Sequence, residues 1–279
     1  MKNASALKYL SLAFLTAASL TIAGAHAQTQ PQAVRLREIK NLDKLDPNWI
    51  MGLCNLPGIE CNKVEVPRLF ERKTDKSVEY YATLKGLILA RLSMSTTGQW
   101  QLLDHWSFAD YPLTPRKDEE KGSSSQINMH PALYPVGPDQ WAIAVLTDII
   151  ESYSGGGASF TKADFVMLDP KISDVSEKQR LLAGIPFSCE KSIRACFSEK
   201  EYKTSANCHE ESSGYLTLKV APSSAGGLYD WTATWHETVR PGGKPKAMWR
   251  NTQTVATLKL GAQAAEPDFP FCEGGPAAP

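Results

Sequence analysis

From residue 78 onward the chain is organised by seven runs of aliphatic, aromatic and threonine residues in partial alternation, and this pattern limits the fold more than any other feature. The runs are VEYYATLKGLILARLSM, QWQLLDHWSF, QWAIAVLTDIIESY, SFTKADFVML, GYLTLKV, YDWTATWHETV and AMWRNTQTVATLKL. Clusters of turn residues separate them, among them STTG, VGPD, SGGGA, PSSAGG and RPGGKP. Branched and aromatic side chains suit a pleated, half-buried surface, and turn residues between such runs close hairpins. The pattern predicts a mainly β protein, an antiparallel, hairpin-rich sandwich or set of curved sheets. Within the first run, ATLKGLILARL fits either a kinked strand pair or a helix. Gln99-Trp100, Gln140-Trp141 and Asp230-Trp231 each follow a turn and open a strand.

Upstream of these runs, Asp46-Pro47 supplies a capping residue followed by proline, so DPNWIMGLCNL reads as one short N-terminal helix stopped before Pro57-Gly58. An N-terminal β region carrying that helix spans 28–113, and a C-terminal β region of the same globular unit spans 130–272. Between them, 114–129 (TPRKDEEKGSSSQINM) has no periodicity and reads as a mobile loop. Residues 273–279 read as a disordered tail.

Residues 1–27 carry Lys2 and Lys8, a mostly apolar run, no acidic residue and the ending Ala25-His26-Ala27. That is the form of a secretory signal peptide cleaved near Ala27, and it predicts export to the periplasm or beyond. The apolar stretch is shorter than a membrane span requires, and no membrane span is expected elsewhere. Without Lys2 and Lys8 the chain has two fewer basic than acidic residues, with the signs interspersed, so no nucleic-acid partner is expected.

All six cysteines, Cys54, Cys61, Cys189, Cys196, Cys208 and Cys272, lie beyond the leader. An even count in an exported chain predicts disulfides. The economical pairing joins Cys54 with Cys61, Cys189 with Cys196 and Cys208 with Cys272. No CxxC or short-spaced histidine pair is present, so neither a redox motif nor a metal site is expected.

The stretch ESYSGGGASFTKADF tests the remaining chemistry. A phosphate loop needs its glycines to lead from a strand into a helix with a lysine and a hydroxyl in register. Here strand-like residues lie on both sides, so the glycines read as a hairpin turn supplying positive φ angles. Ser159 to Lys162 and Ser188 to Lys191 match SxxK, but the companion motifs of the serine enzymes that use it are absent. His236 with Glu237, and Asp104 with His105, are the pairs to watch for acid-base chemistry, although neighbours on a strand point to opposite faces. No cofactor is expected. Trp231 and Trp235 share a face in a regular strand, and an exposed pair would form a binding platform. The expectation is a periplasmic, disulfide-stapled module that binds an envelope partner or ligand, or neutralises a toxin, without catalysis. The alternative is a hydrolase of an envelope polymer or small ligand.

Overall fold

The computed structural model describes residues 30–42, 48–57, 59, 67–75, 77–84, 87–112, 124–205, 207–223, 226–261 and 267–272. The expected signal peptide, Asp46-Pro47, Cys61 and the tail 273–279 lie outside the described residues. The described chain is mainly β, with two antiparallel sheets and two short helices.

The smaller sheet contains β2 (Arg37–Glu38), β3 (Arg68–Lys73), β4 (Val78–Leu84), β5 (Ile88–Met94) and β6 (Trp100–Ser107), each paired to the next. The ambiguous ATLKGLILARL is the strand pair: Leu84 faces Ile88, and Leu87 takes φ 57 at the reversal. α1 (Trp49–Cys54) follows Asn48, and among the described residues no side-chain cap bond closes its start. Six residues are too few to be helical by propensity, so α1 depends on burying Trp49 and Leu53 against the sheet. Gly52 makes the approach possible, since a Cβ there would lie 3.0 Å from Cδ1 of Trp100.

The larger sheet contains eight strands: β1 (Val34–Arg35), β7 (Ser124–Gly137), β8 (Gln140–Tyr153), β9 (Gly156–Met167), β10 (Arg180–Arg194), β11 (His209–Ala221), β12 (Asp230–Arg240) and β13 (Arg250–Leu258). From β7 onward it is a meander. Trp100, Gln140 and Asp230 each stand at the first position of a strand, as expected. α2 (Glu199–Thr204) interrupts the β10–β11 connection and is capped reciprocally by Ser198 and Glu201.

Two sequence expectations need correction at this level. The stretch 114–129 is not all loop: β7 begins at Ser124, and Asn128 and Met129 pair with Leu146 and Val145. Only 113–123 falls outside the described residues here. The ESYSGGGASF turn is a hairpin in which Tyr153 faces Gly156, but Gly155, Gly156 and Gly157 all avoid positive φ. Gly156 serves a close approach instead: a Cβ there would sit 1.9 Å from the Ser192 carbonyl oxygen.

The chain passes between the sheets at Leu36, whose neighbours Arg35 and Arg37 pair with β7 and β3 respectively. Leu36 is buried in the inter-sheet core with Phe70, Tyr81 and Trp106 of the small sheet and Ile143 and Val166 of the large one. The opposite face of the large sheet, called inner below, curls around a second core. There the Trp231 indole N–H donates to the Pro135 carbonyl at 3.0 Å, and the Tyr229 N–H to Val136 at 2.8 Å, drawing the start of β12 onto β7. Residues 267–272 close this core: Phe269 and Phe271 pack on Trp235 with ring centroids 5.9 and 5.6 Å away.

Disulfides fix both ends of that arrangement, and their pairing differs from the economical one. Cys189 joins Cys272, and Cys196 joins Cys208. Cys189 stands inside β10, which remains extended to Arg194. The five residue steps of strand from Cys189 to Arg194 already span roughly 17 Å, far beyond the Cα separation of about 4.4–6.8 Å that a disulfide tolerates. Cys54 is also disulfide-bonded, and Cys61, the partner expected for it, lies outside the described residues.

Candidate functional site

The small sheet covers the outer face of the large sheet only near β7 and the adjoining halves of β8 and β9. The rest of that face is open, and alternation fixes its chemistry. On β12, Trp231, Ala233, Trp235, Glu237 and Val239 are buried, while the intervening residues are more exposed. On β11, Ser212, Gly214 and Val220 are buried, and Ser213, Tyr215 and Thr217 are exposed. Directly paired residues share a face, so the register writes ladders across the sheet. One reads Asp148, Thr161, Ser188, Tyr215, His236 and Gln253 from β8 to β13. The next reads Ile150, Ser159, Glu190, Ser213, Thr238 and Asn251. Strands about 4.8 Å apart therefore present a lattice of hydroxyl, carboxylate, amide and imidazole groups.

Several of these groups are held by neighbours. Asp148 accepts from the Thr161 hydroxyl at 2.6 Å and from the Asn128 amide at 3.0 Å. The Tyr215 and His236 rings stack with centroids 4.7 Å apart and 9° between planes, and Tyr215 keeps 56% of its surface exposed. Arg240 donates to Glu211 at 3.1 Å, and its guanidinium lies 4.8 Å from the centre of the Trp249 ring. Around the second ladder the face forms a shallow depression of about 560 Å³, bordered by Ser159, Glu190, Ser213, Thr238 and Arg240.

The watched pairs do not make an acid-base site. His236 lies on the outer face, with Nε2 3.0 Å from the Thr217 hydroxyl. Glu237 is turned inward and is 3% exposed; its Oε2 accepts from the Trp235 indole N–H at 2.8 Å, and among the described residues its Oε1 has no hydrogen-bond partner. Asp104 accepts from Arg91 Nε at 2.7 Å, and the adjacent His105 takes the other side of β6. The Thr217 hydroxyl is also 3.3 Å from the Thr234 carbonyl, and among the described residues no carboxylate is bonded to His236 to orient it as a base. Both SxxK matches fall within single strands, β9 and β10, and neither stands on the helix that sets the lysine beside the serine in the enzymes that use this motif. Among the described residues no cluster of metal-ligating side chains occurs.

Trp231 and Trp235 share a face as expected, but it is the inner one. Both are 0% exposed, so the expectation of an exposed tryptophan platform is corrected. Trp231 is walled by Phe165 and Tyr134, and Trp235 by the two tail phenylalanines. The exposed aromatic group on this hairpin is Tyr215, which the sequence reading passed over; the signal for it was the alternation Ser213, Tyr215, Thr217 and Lys219 against Leu216, Leu218 and Val220.

A second, narrower cleft of about 290 Å³ opens where the sheets meet, walled by Trp106 and Trp141 with Arg91 at its side. The charges around Arg91 satisfy one another. Arg91 bonds Asp104 and lies 3.7 Å from Glu79, Arg72 lies 3.4 Å from Glu79 and stacks over Trp141, and the Tyr81 hydroxyl donates to Glu79. Burial, reinforced by Glu79, pushes the Tyr81 phenol up to about 12, so it stays a donor. A comparable brace holds β10: Asp164, 5% exposed, accepts from the Tyr111 hydroxyl at 3.0 Å and the Gly184 N–H at 2.7 Å, with Arg180 3.7 Å away. These networks have the character of structural ties between layers.

Comparison with models of protein families, with curated proteins and with solved structures finds no match to this chain.

Proposed function

We propose that this chain works after export, in the bacterial periplasm, as a non-catalytic binding module whose contact surface is the open outer face of the large sheet. The observation that supports this reading is the pair of polar ladders crossing β8 to β13, with a depression of about 560 Å³ and the exposed Tyr215 ring among them. A surface of hydroxyls, amides and separated charges of both signs makes directional, water-bridged contacts, which favour partner selection over bulk hydrophobic adhesion. An envelope protein fits such a surface, as does an incoming toxin neutralised in the manner of an immunity protein. Disulfides and the lack, among the described residues, of a helix long and apolar enough to cross a membrane are consistent with that location.

The hydrolase alternative draws no support from the geometry, since His236 and Glu237 diverge and Asp104 is engaged by Arg91. The test compares the oxidised native protein with a Tyr215→Ala/Glu190→Lys variant in binding to envelope proteins and to a panel of purified toxins. Both positions are exposed, so melting should not change. Binding lost in the folded variant is the expected result. Undiminished binding, or turnover of an envelope substrate abolished by one polar substitution, would refute the reading.

A further inference from the structure

Among the described residues, the outer edge of β13 is open in a way that the other sheet edges are not. β1 and β2, which end their sheets on one side, are two residues long. β6 is bulged opposite Arg91 and Leu92 and is joined at its end by residues 173–175, through hydrogen bonds from Ser107 to Ser173 and from Val175 to Ser107. β13 runs nine residues, RNTQTVATL, in unbroken register with β12. It contains no proline, no bulge and no charge apart from Arg250 at its start. Among the described residues, the backbone of 251–258 makes no hydrogen bond beyond those to β12. Asn251, Thr252, Gln253, Val255 and Thr257 are exposed, Val255 to 64%. Proteins ordinarily blunt such an edge with lysine, proline or a bulge, because its free N–H and C=O groups template another strand.

We propose that β13 pairs antiparallel with β13 of a second copy of this chain, across a two-fold axis through Thr254. That register overlaps all nine residues and sets Arg250 against Leu258, Asn251 against Thr257, Thr252 against Ala256 and Gln253 against Val255. No pair brings like charges together, the lone cation meets an aliphatic residue, and hydroxyl and amide groups meet small or apolar neighbours. An isologous contact of this kind closes at two copies, which separates it from open-ended aggregation. It joins the two outer faces into one continuous sixteen-stranded surface, with the ladders of each copy related by the axis. The proposal stands independently of what binds that face.

Sedimentation velocity of the oxidised full chain over a concentration series tests it, with mass doubling expected in the micromolar range typical of small interfaces. Gln253→Lys/Val255→Lys sets lysine against lysine twice in the paired strands while altering only exposed side chains, and should abolish the dimer without changing melting. Thr254→Cys should cross-link to its own copy under mild oxidation, because a residue facing itself lies within disulfide reach. Thr257→Cys, facing Asn251, should not. A chain that stays monomeric at every concentration overturns the proposal and leaves the edge to an extended segment of another protein. A dimer that survives the double lysine variant, or one that cross-links through Thr257→Cys and not Thr254→Cys, overturns it as well.

Discussion

Removing each disulfide in turn should produce losses of different size and different kind. The Cys189–Cys272 bond closes a separation of 83 residues and the Cys196–Cys208 bond one of 12. In the chain-entropy treatment these loops correspond to about 4.5 and about 2.8 kcal/mol at 25 °C. Cys189→Ala/Cys272→Ala should therefore cost at least about 1.7 kcal/mol more than Cys196→Ala/Cys208→Ala in urea unfolding. The long bond has a second effect, because Cys272 anchors the segment that lays Phe269 and Phe271 over Trp235. Its removal should loosen that cover and shift tryptophan emission to the red, whereas removal of the short bond, which encloses α2, should leave emission unchanged. The two bonds also predict a pattern of couplings. Cys189→Ala and Cys272→Ala break the same bond, so the double variant should cost little more than either single one. Near-additive losses from Cys189→Ala and Cys272→Ala, or a larger loss from the short-loop pair, would refute both the connectivity and the closing role of the tail.

Three further outcomes follow from the packing. Gly214→Ala places a methyl group where the Trp235 Cζ2 atom lies 2.3 Å away and Cys189 Sγ 3.1 Å, so overpacking should cost about 1–3 kcal/mol, read as a lowered urea midpoint. Trp231→Phe removes the donor to the Pro135 carbonyl and should cost about 1–3 kcal/mol even though the site remains aromatic; a change below about 0.5 kcal/mol would contradict the account. His130 is held below the ordinary histidine range by burial and, secondarily, by Arg35, and its Nδ1 lies 2.7 Å from the Tyr134 hydroxyl. The folded state thus keeps it neutral while the unfolded chain protonates near pH 6.5, so stability is full above about pH 6.5 and falls as pH drops toward the folded value. Unfolding midpoints at pH 7.5 and 5.5 should show that loss in the native protein and a smaller one in His130→Gln.

How much of this was legible beforehand can be judged from β12. WTATWHETV announces two faces, with Trp231, Ala233 and Trp235 on one and Thr232, Thr234 and His236 on the other. The contrast contained the answer to which face is buried, because a threonine and histidine face opposite a tryptophan and alanine face is the wetter one. Reading the tryptophans alone, without their alternates, allowed a platform where the structure has a core. Strand existence was legible wherever polar and apolar residues alternate, as in GYLTLKV. It was not legible at Ser124 to Met129, where polar residues form the start of β7 because β8, fourteen residues long, needs a partner of similar length. Disulfide pairing was hidden for a related reason: sequence proximity resembles spatial proximity only where the chain bends, and Cys189 lies in a strand that does not bend before Arg194.

The candidate site was harder still to see, since no residue in it departs from what an ordinary exposed strand face contains. Its identity comes from register, which brings Tyr215 beside His236 and Glu190 beside both Ser159 and Ser213, and register is a long-range property. Register also explains why the inner side is built so heavily. Gly214 yields its side-chain volume to the Trp235 indole, the tail supplies two phenylalanines, and a disulfide fixes that tail to β10. A large sheet with an unfilled inner face would twist to bury its apolar side, and the outer ladders would lose their spacing. Filling the inner face with interlocked aromatic rings lets the polar outer face remain open to solvent while its groups stay fixed relative to one another. That condition is what a binding surface made of small side chains requires, because such groups contribute specificity only when their positions are set before the partner arrives.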